Sequence, residues 1–369
     1  MGSGEVEKNV MIPGTSSGKD ATFSIMKGLA IVSVVLGHVY AGTRCEMYVN
    51  YYHLATFFFV SGFFLKDSHL DNMSDYCWRR FKQLYVPFMK YGLLYIFLHN
   101  ILYYIGVEKY LYDSKMVIHE LRNITIGMTS EEPLMGAMWF CPALLVVSIL
   151  SSCMLKMCMN RLAIIKILLL ISLPLIGYVL CELNIKSPRC LWQYMQICGI
   201  YVCGYYFKKW KYYAKLRYNK ILTGGISLYA GITIYLLSNL GITANLQPSA
   251  IMDGNVFSLT IIGIIGALGV WGVSSWVERI PVVSSTLKLI GDSSFSIMAL
   301  HFLCFNIISY IYCCYNHIDL SEVQSFPVIA NVGYWNIFYV LIGVFVPIGL
   351  RQIYNSIMIV NYTRLFHVH

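Results

Sequence analysis

The segment TFSIMKGLAIVSVVLGHVY, residues 22–40, is the first indication of what kind of fold this chain has. Apart from Lys27 and His38 it contains only apolar, small and hydroxyl-bearing residues. At 1.5 Å per residue, a helix of this length spans about 28 Å. The hydrocarbon core of a bilayer is about 30 Å thick, so the segment predicts a transmembrane helix.

Similar apolar runs recur along the whole chain, separated by short polar breaks. Of its 369 residues, 57% are hydrophobic and 12% are charged, with a mean hydropathy of +0.62. Such values lie outside the range of soluble domains. We therefore predict an all-α protein, a polytopic transmembrane bundle of about ten helices. The predicted spans are 22–40, 51–65, 84–106, 138–157, 164–183, 190–207, 221–240, 256–277, 289–312 and 333–354.

The distribution of Lys and Arg predicts the orientation of these spans. Ten spans place both termini and the even-numbered loops on one side, and that side carries 21 of the 27 basic residues. Basic residues near span ends stay in the cytoplasm, so we predict an N-in, C-in topology. The chain is then a cytoplasmic tail (1–21), one membrane domain (22–355) and a second tail (356–369).

Charge and cysteine content exclude some other functions. The net charge of +9 comes from residues spread over loops beside apolar spans, which does not indicate a nucleic-acid partner. Most of the twelve cysteines fall inside predicted helices and resemble small buried apolar residues. With no His-Glu-x-x-His or paired-cysteine pattern, we predict no metal cofactor. The sequence constrains no role for the histidines at 69, 99, 119, 317, 367 and 369.

Lys27 and His38 are the first candidate functional residues. Eleven helical residues separate them, which leaves them only about 20° apart around the axis and about 16 Å apart along it. A cation and a deeper imidazole on one face suit a long anionic ligand with its reactive end in the membrane. The alternative is that Lys27 is a flanking topology charge and His38 a packing residue.

Five short motifs, in order, resemble those of the acyltransferase 3 family. That family has ten spans, and its first helix carries a basic residue, ten intervening residues and an essential histidine. The matching segments are KGLAIVSVVLGHVY (27–40), YYHLATFFFVSGFFL (51–65), WRRFKQLYVPF (78–88), MWFCPALLVVSIL (138–150) and GDSSFSIMALH (291–301). The subgroup most similar to this sequence contains sugar O-acetylases, including fucose 4-O-acetylase-like proteins.

The resemblance implies transfer of an acyl group, usually acetyl from acetyl-CoA, to a hydroxyl of a cell-envelope glycan. Such enzymes lie in the bacterial inner membrane, among membrane lipids, and their acceptor is a carbohydrate or a lipid-linked glycan. His38 is then the general base, because an imidazole of near-neutral pKa can take the proton of a sugar hydroxyl.

Three positions depart from the family pattern. Lys27 stands where many members have Arg, which replaces a bidentate fork by a point charge. Ser24 stands where the family usually has Asp, and the Arg-x-x-Arg pattern of some members reads Arg79-x-x-Lys82 here.

Further residues follow from the same resemblance. Lys27, Arg79, Arg80 and Lys82 meet at the predicted cytoplasmic face, where they are candidates to hold the phosphates of coenzyme A. The alternative is that all four only flank helices.

Three candidates for substrate binding complete the predicted site. His53 is either an acceptor-site residue or a helix-pairing residue, and Trp139 either stacks on a sugar or lies at the membrane interface. His301, in the ninth span, faces either the site or a neighbouring helix.

Two other function classes compete with the acyltransferase. A polysaccharide or glycolipid exporter or flippase would also place ionisable residues in spans, but it would favour internal repeats and broken helices, which the sequence does not indicate. A non-catalytic membrane sensor would leave His38 unexplained.

Overall fold

The computed structural model describes residues 21–247, 256–330 and 332–366, and within these ranges every regular element is a helix. This confirms the all-α prediction. The predicted tail 1–21 lies, apart from Ala21, outside the described residues.

Sixteen α-helices are described, together with four short turns of other helical types. The α-helices are α1 (Ala21–Val39), α2 (Arg44–Asn50), α3 (His53–Phe63), α4 (Asp67–Asp71), α5 (Met73–Tyr104), α6 (Ser114–Arg122), α7 (Phe140–Cys158), α8 (Ala163–Glu182), α9 (Leu191–Gln196), α10 (Cys198–Lys209), α11 (Tyr213–Tyr218), α12 (Lys220–Asn239), α13 (Val256–Val277), α14 (Pro281–Asp292), α15 (Ser294–Asn316) and α16 (Trp335–Phe366). The other turns are a π turn (Asn123–Gly127) and 3-10 turns at Pro133–Trp139, Pro188–Cys190 and Leu320–Gln324.

Seven helical segments in the described residues are long and apolar enough to cross a bilayer. They belong to α1, α7 with its preceding turn, α8, α12, α13, α15 and α16. Large apolar side chains of α8 and α12 are exposed on the outside of the protein, as expected of helices that face lipid. The polytopic bundle is therefore confirmed, while ten spans and the N-in, C-in orientation remain predictions.

The three other predicted spans form helices of a different kind. In the 51–65 segment α3 has only 11 residues, about 16 Å of helix, and nearly all of it is buried. The 84–106 span belongs to α5, which begins well before it and has 32 residues. The 190–207 segment is interrupted at Ile197, between α9 and α10.

The predicted ninth span, 289–312, has the wrong boundaries. The structure divides this region at Ser293 into α14, which ends at Asp292, and α15, which begins at Ser294. Arg351 donates hydrogen bonds to the Asp292 carbonyl (2.6 Å) and to the Ser293 hydroxyl (2.8 Å). These bonds satisfy a backbone carbonyl and a hydroxyl at the break. The hydropathy of the sequence, by contrast, predicts a continuous helix there.

Helix α1 lies at the centre of the bundle. It packs against α2, α3, α13, α14, α15 and α16. Its closest approach is to α14: a Cβ at Gly28 would overlap the Leu287 carbonyl oxygen, and one at Gly291 would overlap that of Ser24. Glycine at both positions lets the two backbones touch. The helix that carries Lys27 and His38 is thus packed among six other helices.

Candidate active site

One face of α1 forms a wall of a cavity of about 260 Å³. Lys27, Ile31, Val34 and His38 line this wall, and their spacing of four, three and four residues brings them onto one face of a helix. The structure thus brings Lys27 and His38 into one cavity, as their separation predicts. The other walls come from α2, α3, α5, α7 with its preceding turn, and α15.

His53 lies at the first position of α3 and lines the same cavity. Its Nδ1 is 2.6 Å from the Val49 carbonyl oxygen. A carbonyl oxygen only accepts, so Nδ1 carries the proton and donates, which leaves Nε2 as an acceptor in the neutral ring. The structure therefore places a second imidazole on the cavity that holds His38.

His301 lies behind His38 on α15. The two rings stack at a centroid distance of 5.3 Å and an angle of 24°. His301 Nδ1 is 2.9 Å from the Ile297 carbonyl and 3.0 Å from that of Met298, which fixes the proton on Nδ1. Its Nε2 is buried and has no hydrogen-bond partner among the described residues. His301 supports the ring of His38 without lining the cavity itself.

Asp292 lies beside the basic group of α1. Lys27 Nζ is 3.7 Å from Asp292 Oδ1, and the Ser24 hydroxyl donates to the same oxygen at 3.0 Å. The family's usual carboxylate at position 24 is absent here, and a carboxylate from α14 lies against Ser24 instead. An anionic ligand would compete with Asp292 for Lys27.

Arg80 extends toward the cavity from α5. Its guanidinium donates to the Ser148 hydroxyl (3.2 Å) and to the Ser61 hydroxyl (2.9 Å), and Ser61 lines the cavity. A neighbouring pocket of about 210 Å³ is lined by Ser61, Arg79 and Arg80. Arg79 is paired with Asp75 on the exposed side of α5 at 2.5 Å.

Lys82 differs from the other predicted coenzyme A ligands. Its ammonium lies over the Trp78 ring, 4.9 Å from the centroid, and the side chain lines neither the cavity nor the pocket beside Arg80. The structure thus links Arg80, through Ser61, to the cavity that Lys27 lines. Arg79 shares the smaller pocket with Arg80, and Lys82 lies apart from both pockets.

Trp139 joins the cavity to a second, larger pocket. It ends the 3-10 turn Pro133–Trp139 and lines both the cavity and a pocket of about 710 Å³. Gln247 also lines both, and Tyr85 and Arg189 line the larger one. An aromatic ring at the junction of two pockets suits a substrate that bridges them.

Comparison with protein-family models matches residues 20–354 to the acyltransferase 3 family, whose model describes an acyltransferase domain. The chain belongs to this family. The match includes every candidate site residue named above, and it makes the protein a membrane acyltransferase. No curated protein and no solved structure matches the chain.

Several polar residues of this acyltransferase were not found by sequence reasoning. Glu46, Asn50, Asn245 and Gln247 all line the cavity. They lie in short helices and loops with no motif around them. Only their proximity in the fold identifies them.

A second group of residues missed from the sequence lies outside the cavity, at the end of α5. His99, Glu108 and Glu132 are buried, and the ligand-type atoms of the three side chains all lie within 4.8 Å of one another. We call these three residues the His99 cluster. Burial and the nearby Glu132 raise the pKa of Glu108 to about 7, and burial also raises the pKa of Glu132. The three residues come from one helix and two loop segments, so sequence spacing does not reveal them.

Proposed function

We propose that this acyltransferase moves an acetyl group from acetyl-CoA to a hydroxyl of a cell-envelope carbohydrate, like the sugar O-acetylases it resembles. The observation that carries the proposal is the single cavity that contains Lys27, His38 and Trp139. Coenzyme A is a long anion with its thioester at one end. A cavity with a cation and an imidazole about 16 Å apart along one helix fits such a molecule.

In the proposed mechanism, His38 is the general base. The acceptor hydroxyl gives its proton to the neutral imidazole while its oxygen attacks the thioester carbonyl carbon. The tetrahedral intermediate then collapses, the carbon–sulfur bond breaks, and the coenzyme A thiolate takes the proton from the imidazolium. His301, stacked on His38, would hold the ring in place, and His53 would offer its Nε2 to the acceptor hydroxyl.

The proposed binding roles divide the cavity between the two substrates. Lys27 in the cavity wall and Arg80 and Arg79 in the smaller pocket would bind the coenzyme A phosphates, with Lys82 at the outer edge of this group. The acceptor, a carbohydrate or lipid-linked glycan, would stack on Trp139 and occupy the larger pocket. We expect the enzyme in the bacterial inner membrane, with donor and acceptor approaching from opposite sides.

The experiment that tests this function is acyl transfer by the purified full chain in detergent. Acetyl-CoA is added with a panel of saccharides and lipid-linked glycans, and released thiol and acetylated product are both measured. We expect thiol release that is stimulated by at least one acceptor. Glycan transport in proteoliposomes, without thiol release from any acyl-CoA tested, would favour the exporter instead.

A further inference from the structure

The His99 cluster has an unusual hydrogen-bond pattern. His99 Nε2 is 3.0 Å from the Tyr110 carbonyl oxygen, and Nδ1 is 2.7 Å from Glu132 Oε2. The carbonyl can only accept, so Nε2 carries a proton. In the neutral ring Nδ1 is then a lone pair that faces a carboxylate oxygen. Two electron-rich atoms this close repel each other unless they share a proton or bind the same metal cation.

The charges around the cluster are predominantly negative. Glu108, Glu120 and Glu132 are 6%, 3% and 3% exposed, and the fully buried His99 is the basic side chain within the cluster. Lys109, next to Glu108 in sequence, is exposed. Several ionised carboxylates buried beside at most one imidazolium are costly in a low-dielectric environment, which favours a bound proton or cation in the cluster.

The carboxylates differ in the hydrogen bonds that they accept. Glu120 accepts from the Glu131 backbone N–H at 2.7 Å and from the Ser130 hydroxyl at 3.3 Å. Glu132 Oε2 accepts from Tyr112 at 3.3 Å, but Oε1 is buried with no hydrogen-bond partner among the described residues. An unsatisfied carboxylate oxygen thus lies in the group that contains His99 and Glu108.

The geometry points to a metal site: His99 Nδ1 and the carboxylates of Glu108 and Glu132 bind one Zn²⁺ ion. One imidazole and two carboxylates are ligands that zinc accepts. This proposal is independent of the acyl-transfer function, and it departs from the sequence analysis, which predicted no metal.

The surroundings of the cluster fit this assignment. A zinc-bound histidine usually donates its other N–H to a backbone carbonyl or a carboxylate, as His99 does to Tyr110. The Tyr112 ring stacks on His99, and Asn100 holds the Tyr112 backbone through both its N–H (2.8 Å) and its carbonyl (3.1 Å). Neighbouring ligand atoms of tetrahedral zinc are roughly 3.3 Å apart. On zinc binding, the distance between His99 Nδ1 and Glu132 Oε2 would therefore increase by only about 0.6 Å.

A metal at this position would stabilise the wall of the active site. Glu132 directly precedes the 3-10 turn Pro133–Trp139, and Trp139 lines both the cavity and the larger pocket. Zinc would tie the start of that turn to the end of α5. Its role would be to hold Trp139 in place, with no part in the acyl transfer itself.

The test is zinc binding by the full chain purified without a histidine tag. The protein is treated with EDTA, exchanged into chelator-free buffer, incubated with ZnCl₂, and analysed for zinc content after gel filtration. We expect one tightly held zinc per chain and a higher thermal unfolding temperature than that of the stripped protein. We expect Glu132→Gln and Glu108→Gln each to weaken zinc binding at least tenfold.

The matched control is Glu131→Gln, next to Glu132 and 71% exposed, which should bind zinc like the wild type. X-ray absorption of the zinc-loaded wild type supplies a measurement that needs no variant to fold, and it should show only nitrogen and oxygen ligands. A wild type that takes up no zinc, or a well-folded Glu132→Gln variant that binds zinc as tightly, would overturn the proposal. Either result would leave a shared proton as the link between His99 and Glu132.

Discussion

At the scale of residues, the contacts of Lys27 indicate a role in binding. A lysine that only anchors a helix end needs no partner within the protein. Lys27 instead lines the cavity and lies near Asp292, which Ser24 also contacts. The carboxylate holds the ammonium at the cavity wall, where a phosphate can replace it as the counterion.

Replacing Lys27 by Met should therefore weaken acyl-CoA binding without stopping the chemistry. We expect KM for acyl-CoA to rise about tenfold, which corresponds to about 1.4 kcal/mol, with kcat little changed, because the charge binds substrate and transition state alike. Lys27→Arg keeps the charge, matches the family's commoner residue, and should retain the wild-type KM. A Lys27→Met enzyme with normal KM would assign Lys27 to topology alone.

Prediction from the sequence succeeded for residues whose relative position is set within one helix. The separation of Lys27 and His38 is set by the regular geometry of one helix, so counting residues was enough to place both on one cavity. The contacts of Lys27 with Asp292 and of His99 with Glu132 join residues from different helices and loops. No periodicity links such pairs, and only the fold reveals them.

At the scale of elements, the active site depends on the crossing of α1 and α14. Their backbones touch at Gly28 and Gly291, and the crossing sets the position of Lys27 against Asp292. The sequence predicted α1 almost to the residue, because a continuous apolar segment has clear ends. It missed the break at Ser293, because a polar contact from Arg351 on another helix stabilises that break.

A methyl group at Gly28 should disturb this crossing. We expect Gly28→Ala to destabilise the protein by about 1–3 kcal/mol, since the new Cβ would overlap the rigid Leu287 carbonyl. The measurement is thermal unfolding in detergent. Gly225→Ala is the matched control, because that helical glycine has nothing within 4 Å of its Cβ position. Equal unfolding temperatures for the two variants would show that α1 and α14 are not in close contact.

At the scale of the whole molecule, the long apolar helices form a membrane bundle. Seven described segments meet the requirements for crossing, while α3, α5 and the α9–α10 pair occupy the remaining predicted spans. Hydropathy predicted ten apolar regions but could not reveal that α3 is short and buried, because burial among helices and burial in lipid select the same apolar residues.

The predicted orientation can be tested with reporter fusions. We expect alkaline phosphatase to be inactive when fused after residue 369 or within 208–220, and active within 107–132, because the basic loops stay in the cytoplasm. Green fluorescent protein at the same positions should give the opposite pattern. Active phosphatase at residue 369 would contradict the predicted cytoplasmic C-terminus and with it the N-in, C-in topology.

The role of His38 as the base that takes the proton of the acceptor hydroxyl is tested by comparing acyl transfer by wild type, His38→Gln and His317→Asn. His317 is exposed, ends α15 in a left-handed conformation that Asn tolerates, and lies outside the cavity. We predict that His38→Gln folds and binds acyl-CoA like the wild type but transfers about 10²- to 10⁴-fold more slowly, while His317→Asn transfers at the wild-type rate. A His38→Gln enzyme with wild-type turnover would show that His38 is not the base.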